Sequence, residues 1–378
     1  MDEKNTVPLP SATTLVYGEH PSQFIDVYTP DGVGPHPVVV LIHGGFWRLP
    51  WGRDLMLGLA GDLVGRGFAA VNVEYRRLGE DGGGWPGTCE DIVSALGAMV
   101  GGREQTGRVG MESGMVGGGV GVVDSASPSG SAPGSASGSD STAGSAPDLG
   151  PGSAPDLGSV PASDSAPDSG LGSVPGLGSG TDSAPALDSG SDSDLNLGLN
   201  LGLGPSPELD SGSGLASDLA LDLTRVAVVG HSAGGYLALW AAKHTPVPLR
   251  VVVSQAGVLD LRSAARDRLD GDSDGRLSAA VEFVGGEPHD ADFDAAYSLA
   301  SPIELLPLGP AVHQFVLHGD VDNRVPFQQS VDYVAAARRV GDSVEFAAFT
   351  GMGHFEVIDA AHESWLRVVE ELTRRLGA

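Results

Sequence analysis

Cysteine is almost missing from this chain. The single thiol, Cys89, rules out an internal disulfide and fits a reducing compartment. Long hydrophobic runs are missing too. No stretch of about 18 apolar residues exists, so no membrane-spanning helix is expected. The first residues, Met1-Asp2-Glu3-Lys4-Asn5, lack a basic start backed by an apolar run, so no secretory leader is expected. Basic residues are scarce: 21 Lys and Arg stand against 49 Asp and Glu, for a formal net charge of -28. Such a surface repels nucleic acid phosphates and anionic membranes, and neither is expected as a partner. The expectation is a soluble cytoplasmic protein.

The scarcity is uneven. Between Arg108 and Arg225 there is no Lys or Arg and no aromatic residue, yet the interval carries fifteen Asp and Glu. Its middle is built almost wholly from Ser, Gly, Ala, Pro, Asp and Leu. Gly144-Ser145-Ala146-Pro147-Asp148-Leu149-Gly150 recurs at Gly152 to Gly158. A segment with so little to bury cannot offset its ordering entropy, so 109–218 reads as a disordered low-complexity insertion. Residues 1–108 and 219–378 then form one interrupted domain, because loop-closure entropy grows only logarithmically with length. Deleting about 115–215 is expected to leave fold and activity largely unchanged, which circular dichroism and turnover of the shortened protein would check.

What remains is rich in apolar, β-branched runs, at Phe24–Tyr28, Val38–Ile42, Ala69–Val73, Arg225–Val229, Arg250–Val253, His313–Leu317 and Val344–Phe349. Helical spacing marks Leu55–Val64, Cys89–Met99, Ala233–Lys243, Gln328–Arg338 and His362–Leu376. Several of the strands are continuously apolar, as expected when both faces are covered. Alternating strands and helices imply an α/β protein with a mostly parallel central sheet flanked by helices. The insertion falls in a helix-to-strand connection, away from the sheet end where active sites form.

Four motifs stand at strand ends. Gly230-His231-Ser232-Ala233-Gly234 follows the strand Val226–Val229 and opens a helix, the setting of a nucleophile elbow. The glycines keep side chains clear of a strained turn, and the helix start favours developing negative charge. His43-Gly44-Gly45-Phe46-Trp47 follows Val38–Ile42, where backbone N–H groups of Gly44 and Gly45 could join that of Ala233 in an oxyanion hole. His318-Gly319-Asp320-Val321-Asp322 offers two carboxylates that could orient a histidine. Gly351-Met352-Gly353-His354 supplies that histidine, a group whose ordinary pKa suits proton shuttling at neutral pH. His43, His231 and His318 read as structural.

These motifs, with Tyr75-Arg76-Arg77, Gly84-Trp85-Pro86-Gly87 and Val325-Pro326, resemble the α/β-hydrolases that include kynurenine formamidases and related esterases. The resemblance covers nearly all of the chain outside the insertion. It implies the α/β-hydrolase fold and a triad of Ser232, His354 and Asp322, the acid being the residue three beyond the glycine of His318-Gly319. It implies acyl transfer on a small-molecule ester or aryl-formamide/amide substrate, with no metal and no cofactor. Phe46 and Trp47 are expected to line the substrate pocket, and the tryptophan leans toward the formamidase branch. The chain departs from the hormone-sensitive-lipase pattern, holding Phe46 and His231 where that branch has a third glycine and an acid. Prolyl-oligopeptidase-like enzymes share related motifs, but residues 1–36 are too few for their propeller. A non-catalytic scaffold is the alternative from another class, disfavoured because all three triad types are present.

Two further features are set aside. Asp270-Gly271-Asp272-Ser273-Asp274-Gly275 opens like a calcium loop, but Val281 stands where the twelfth-position Glu is needed. Cys89 sits within a helical pattern and reads as core or inert surface, not as a nucleophile. The segment Leu259–Leu306 is expected to form a lid-like excursion over the site.

Overall fold

The computed structural model describes residues 11–100, 215–271 and 276–377. The insertion expected at 109–218 lies outside them except at its end, where a helical turn, α3 (Leu215–Asp218), leads back into the fold. Ala216 packs on the core.

Eight strands form one sheet: β1 (Thr13–Val16), β2 (Phe24–Tyr28), β3 (His36–Ile42), β4 (Ala69–Val73), β5 (Leu221–His231), β6 (Leu249–Gln255), β7 (His313–Gly319) and β8 (Val344–Phe349). Their order is β1-β2-β4-β3-β5-β6-β7-β8. The pairs β1–β2 and β2–β4 are antiparallel and all the others parallel. The two halves of the chain are joined through β3 and β5, with Val38–Ile42 in register with Val226–Gly230. β1 carries no clear pattern in the sequence because it is an exposed edge strand.

The continuous apolar runs reflect a sheet covered on both sides. Successive side chains point to opposite faces. Val38, Val40 and Ile42 enter one core with α2 (Gly87–Val100), α4 (Ala233–His244) and α8 (Gln328–Arg339). Val39 and Leu41 enter the other, with α1 (Leu57–Gly65) and α9 (Glu363–Leu376). The excursion after β6 holds three short helices, α5 (Leu261–Arg266), α6 (Ala279–Val284) and α7 (Ala291–Ala300). The four strand-end motifs lie at or just past the C-terminal ends of β3, β5, β7 and β8, where this class of sheet opens a crevice.

Candidate active site

Ser232 sits between β5 and α4 with φ 57° and ψ -120°. That backbone is strained for a residue with a side chain. The surroundings hold it there. Its N–H donates to the carbonyl of Gln255 at 2.7 Å. A Cβ at Gly230 would fall 1.9 Å from the carbonyl oxygen of Gly234, and one at Gly234 would fall 2.1 Å from that of Ile42. Both glycines are therefore required by close approach. Ser232 is 1% exposed and lines a cavity of about 360 Å³ with His354. Ala233 is the first residue of α4, so its N–H has no acceptor within the helix.

Gly44 lies directly over the serine: a Cβ there would sit 2.8 Å from the Cβ of Ser232. Gly45 has φ 116° and abuts Trp51. The loop is braced from below by residues that the sequence reading did not single out for this purpose. His43 stacks on Tyr75 with ring centroids 4.2 Å apart. The Tyr75 hydroxyl donates to the His43 carbonyl at 2.8 Å, and His43 Nε2 lies 3.1 Å from Glu74 Oε1. Burial alone would raise the Glu74 carboxyl, but the hydrogen bond to His43 and the Arg77 charge hold it below the usual range. Arg77 in turn binds Glu80, and Arg76 grips Asp91 at 2.7 Å. Tyr75-Arg76-Arg77 is scaffolding for the loop.

Phe46 and Trp47 both adopt positive φ, 51° and 57°, and they part company. Phe46 lines the cavity. Trp47 is 1% exposed, stacks on Phe283 of α6 at 4.3 Å and meets Tyr236 edge-on at 5.2 Å. This corrects the expectation that both line a pocket: Trp47 is core, locking the His43 loop to the helices after β6.

The two candidate acids are separated by geometry. Asp320 Oδ1 accepts the N–H of Gly351 at 2.6 Å and so ties down the loop that carries His354. Asp322 Oδ2 lies 2.7 Å from His354 Nδ1 and 3.2 Å from His318 Nε2, while its Oδ1 accepts the N–H groups of Arg324 and Val325 at 2.7 and 2.9 Å. Burial would raise its pKa, yet hydrogen bonds from the two histidines and the backbone hold it well below the carboxylate range. Gly319 is needed between them, since a Cβ would fall 2.0 Å from the Met352 carbonyl oxygen.

His231 is the neighbour that residue type alone would have promoted. Its Nε2 lies 3.0 Å from the His354 carbonyl and its ring 4.7 Å from the His354 ring. Burial pushes its pKa down to about 3. It stays neutral when folded and gains a proton on unfolding below its ordinary value near 6.5. The sign follows: its contribution to stability is full above that value and falls as pH drops toward 3. His231→Gln, which can still donate to the His354 carbonyl, is expected to lose several degrees less Tm than the parent between pH 7 and pH 5 by differential scanning fluorimetry. An unchanged difference would refute the assignment.

Cys89 is buried 3.4 Å from the Tyr236 hydroxyl, and burial pushes its thiol up, so it is not a nucleophile at neutral pH. Of the calcium-like loop, residues 272–275 lie outside the described ones; Asp270 is engaged by Arg48. Among the described residues, His313, Glu345 and Glu371 bring three possible ligand atoms within 4.8 Å of one another. They lie at the opposite end of the sheet, and Arg367, Arg374 and Arg375 already compensate the carboxylates. No helix among the described residues is long and apolar enough to cross a membrane.

The chain matches the model of the prolyl oligopeptidase family over residues 213–373. No curated protein matches it. Solved structures resemble it closely in fold. A truncated carbohydrate esterase from gut microbiota aligns with a TM-score of 0.59 at 14% identity, over 99% of each chain. A bacterial heroin esterase aligns at 0.54 and 18%, over 97% of this chain and 84% of its own. Esterase 2 of Thermogutta terrifontis, phosphoramylated by tabun, aligns at 0.52 and 14%, over 99% and 98%. At such identities the likeness speaks for the fold.

Proposed function

We propose that this chain, which has the α/β-hydrolase fold, is a serine hydrolase that cleaves carboxylic esters through Ser232, His354 and Asp322. The observation that carries the reading is the 2.7 Å bond between His354 Nδ1 and a charged, buried Asp322, with His354 and Ser232 facing one cavity. A charged acceptor fixes the proton on Nδ1 and leaves Nε2 free as the base. His354 takes the proton of Ser232 as its Oγ attacks the ester carbonyl. The negative charge that develops on the carbonyl oxygen is held by N–H groups of Ala233 and the Gly44–Gly45 loop. The alkoxide leaves with the proton from His354. Water, deprotonated by the same histidine, then opens the acyl-enzyme and restores the serine.

Ester hydrolysis is placed ahead of aryl-formamide hydrolysis. The lean toward formamides rested on the tryptophan of His43-Gly44-Gly45-Phe46-Trp47, and Trp47 is buried away from the cavity. The three neighbours named above are all esterases. The tabun adduct of one of them also suggests the test. A fluorophosphonate is expected to label Ser232, seen by peptide mass spectrometry, and labelling should abolish turnover of 4-nitrophenyl acetate. Turnover of that ester is expected to exceed that of N-formylkynurenine and of a prolyl arylamide. Labelling elsewhere, or full activity after labelling, would overturn the reading.

A further inference from the structure

Besides Ser232 and His354 of the proposed triad, the cavity is lined by the charged residues Arg48, Asp270, Arg276 and Arg324. Arg324 lines the same cavity as Ser232 and His354 and is exposed. Its backbone is fixed, since its N–H donates to Asp322 Oδ1 at 2.7 Å and the next residue, Val325, is fully buried. The guanidinium is thus rooted two residues from the acid of the proposed triad. It forms no ion pair with any described residue. Acids outnumber bases 49 to 21 in this chain, and Arg48, Arg53 and Arg77 near the site are paired. Arg48, which lines the same cavity, is held by Asp270 and by Glu282 at 2.7 Å. Arg53 binds Asp26 at 2.7 Å, and Arg77 binds Glu80 at 3.0 Å. The wall from the segment after β3 is different in character, with Phe46, Leu49, Pro50 and Leu55.

We infer that Arg324 is a substrate-recognition residue and that the substrate carries a carboxylate, bound by this guanidinium while its apolar part lies along the Phe46–Leu55 wall. The inference rests on the proposed hydrolase reading for its place beside the reacting atoms. The physical argument is one of charge and geometry. A planar guanidinium on a rigid turn offers a carboxylate two parallel hydrogen bonds. In a chain of net charge -28, a diffusing anion is repelled nearly everywhere, so a cation beside Ser232 that pairs with no acid among the described residues gains in selectivity. A cavity of about 360 Å³ holds a small molecule, not a folded partner.

The test separates binding from turnover. Ser232→Ala protein is titrated calorimetrically with 3-phenylpropanoate and with its neutral amide, with and without Arg324→Gln and Arg324→Lys. The carboxylate is expected to bind on the order of 10-fold more tightly than the amide. Arg324→Gln should erase that ratio, Arg324→Lys should restore part of it, and added salt should shrink it. Equal binding of the two ligands, or a ratio unchanged in Arg324→Gln, overturns the inference. In parallel, turnover of 4-nitrophenyl acetate by the parent and Ser232→Ala proteins reads the hydrolase proposal by itself. Carboxylate preference with no serine-dependent turnover would sink that proposal and leave the anion site standing. Serine-dependent turnover with no carboxylate preference would do the reverse.

Discussion

Ser232→Ala is expected to lower kcat for 4-nitrophenyl acetate by about 10⁴-fold or more, with little change in Tm. The size of the effect follows from the role proposed for the serine: without Oγ no acyl-enzyme would form, and the rest of the site could only polarise the ester for water. The small effect on stability follows from the backbone. The strain at φ 57° belongs to the turn, and alanine meets it about as serine does. The two readouts together separate a chemical role from a structural one. Retained hydrolysis in a Ser232→Ala preparation free of host esterases would remove the serine from the mechanism. A large fall in Tm would mean that Oγ supports the elbow instead. Steady-state kinetics and differential scanning fluorimetry on the same preparation decide between them.

How much of this was readable beforehand depends on the range of the forces involved. β2, β4 and β8 coincide with their apolar runs in the sequence, each holding one polar residue, Asp26, Asn72 or Glu345, among apolar ones. The elbow was readable because Gly230 is demanded by a contact only four residues away, with Gly234, whereas Gly234 is demanded by Ile42 of a distant strand. β1 was not readable, since an exposed edge strand buries too little to impose a pattern. The short helices α5 to α7 gave no periodic signal long enough to distinguish. Trp47 was misread because a motif names a residue type and not a direction. Its indole packs against Phe283, more than two hundred residues later, and nothing local forecasts that contact. Glu74 escaped for the same reason, and so did the role of Tyr75, their partner His43 being fixed only when β3 and β4 pair side by side. Local chemistry is visible in the sequence, whereas the bracing behind it depends on tertiary neighbours.

Asp322→Asn is expected to lower kcat by roughly 10³- to 10⁴-fold while leaving KM nearly unchanged. The carboxylate serves two imidazoles at once, His354 at 2.7 Å and His318 at 3.2 Å on the same oxygen. Asparagine keeps the shape but can turn an amide N–H toward His354. The histidine would then carry its proton on Nε2, where the serine needs a lone pair, and the positive charge formed during attack would have no counter-charge. The acid also has a signature apart from activity. Its pKa in the fold is held well below the usual value, with burial opposing and the hydrogen bonds from His318 and His354 prevailing. For a group depressed in this way, the stabilisation is complete above its unfolded value near 3.9 and is lost as pH falls through the folded one. Below about pH 4 the parent protein should therefore lose Tm more steeply than Asp322→Asn, which has no such carboxyl to protonate. At pH 7 the parent is expected to have the higher Tm, because the neutral amide of the variant leaves the two histidines without their shared charge. Parallel curves for the two proteins from pH 3 to pH 7 would show that Asp322 is not the charged partner of His354, and the kinetic loss would then need another cause.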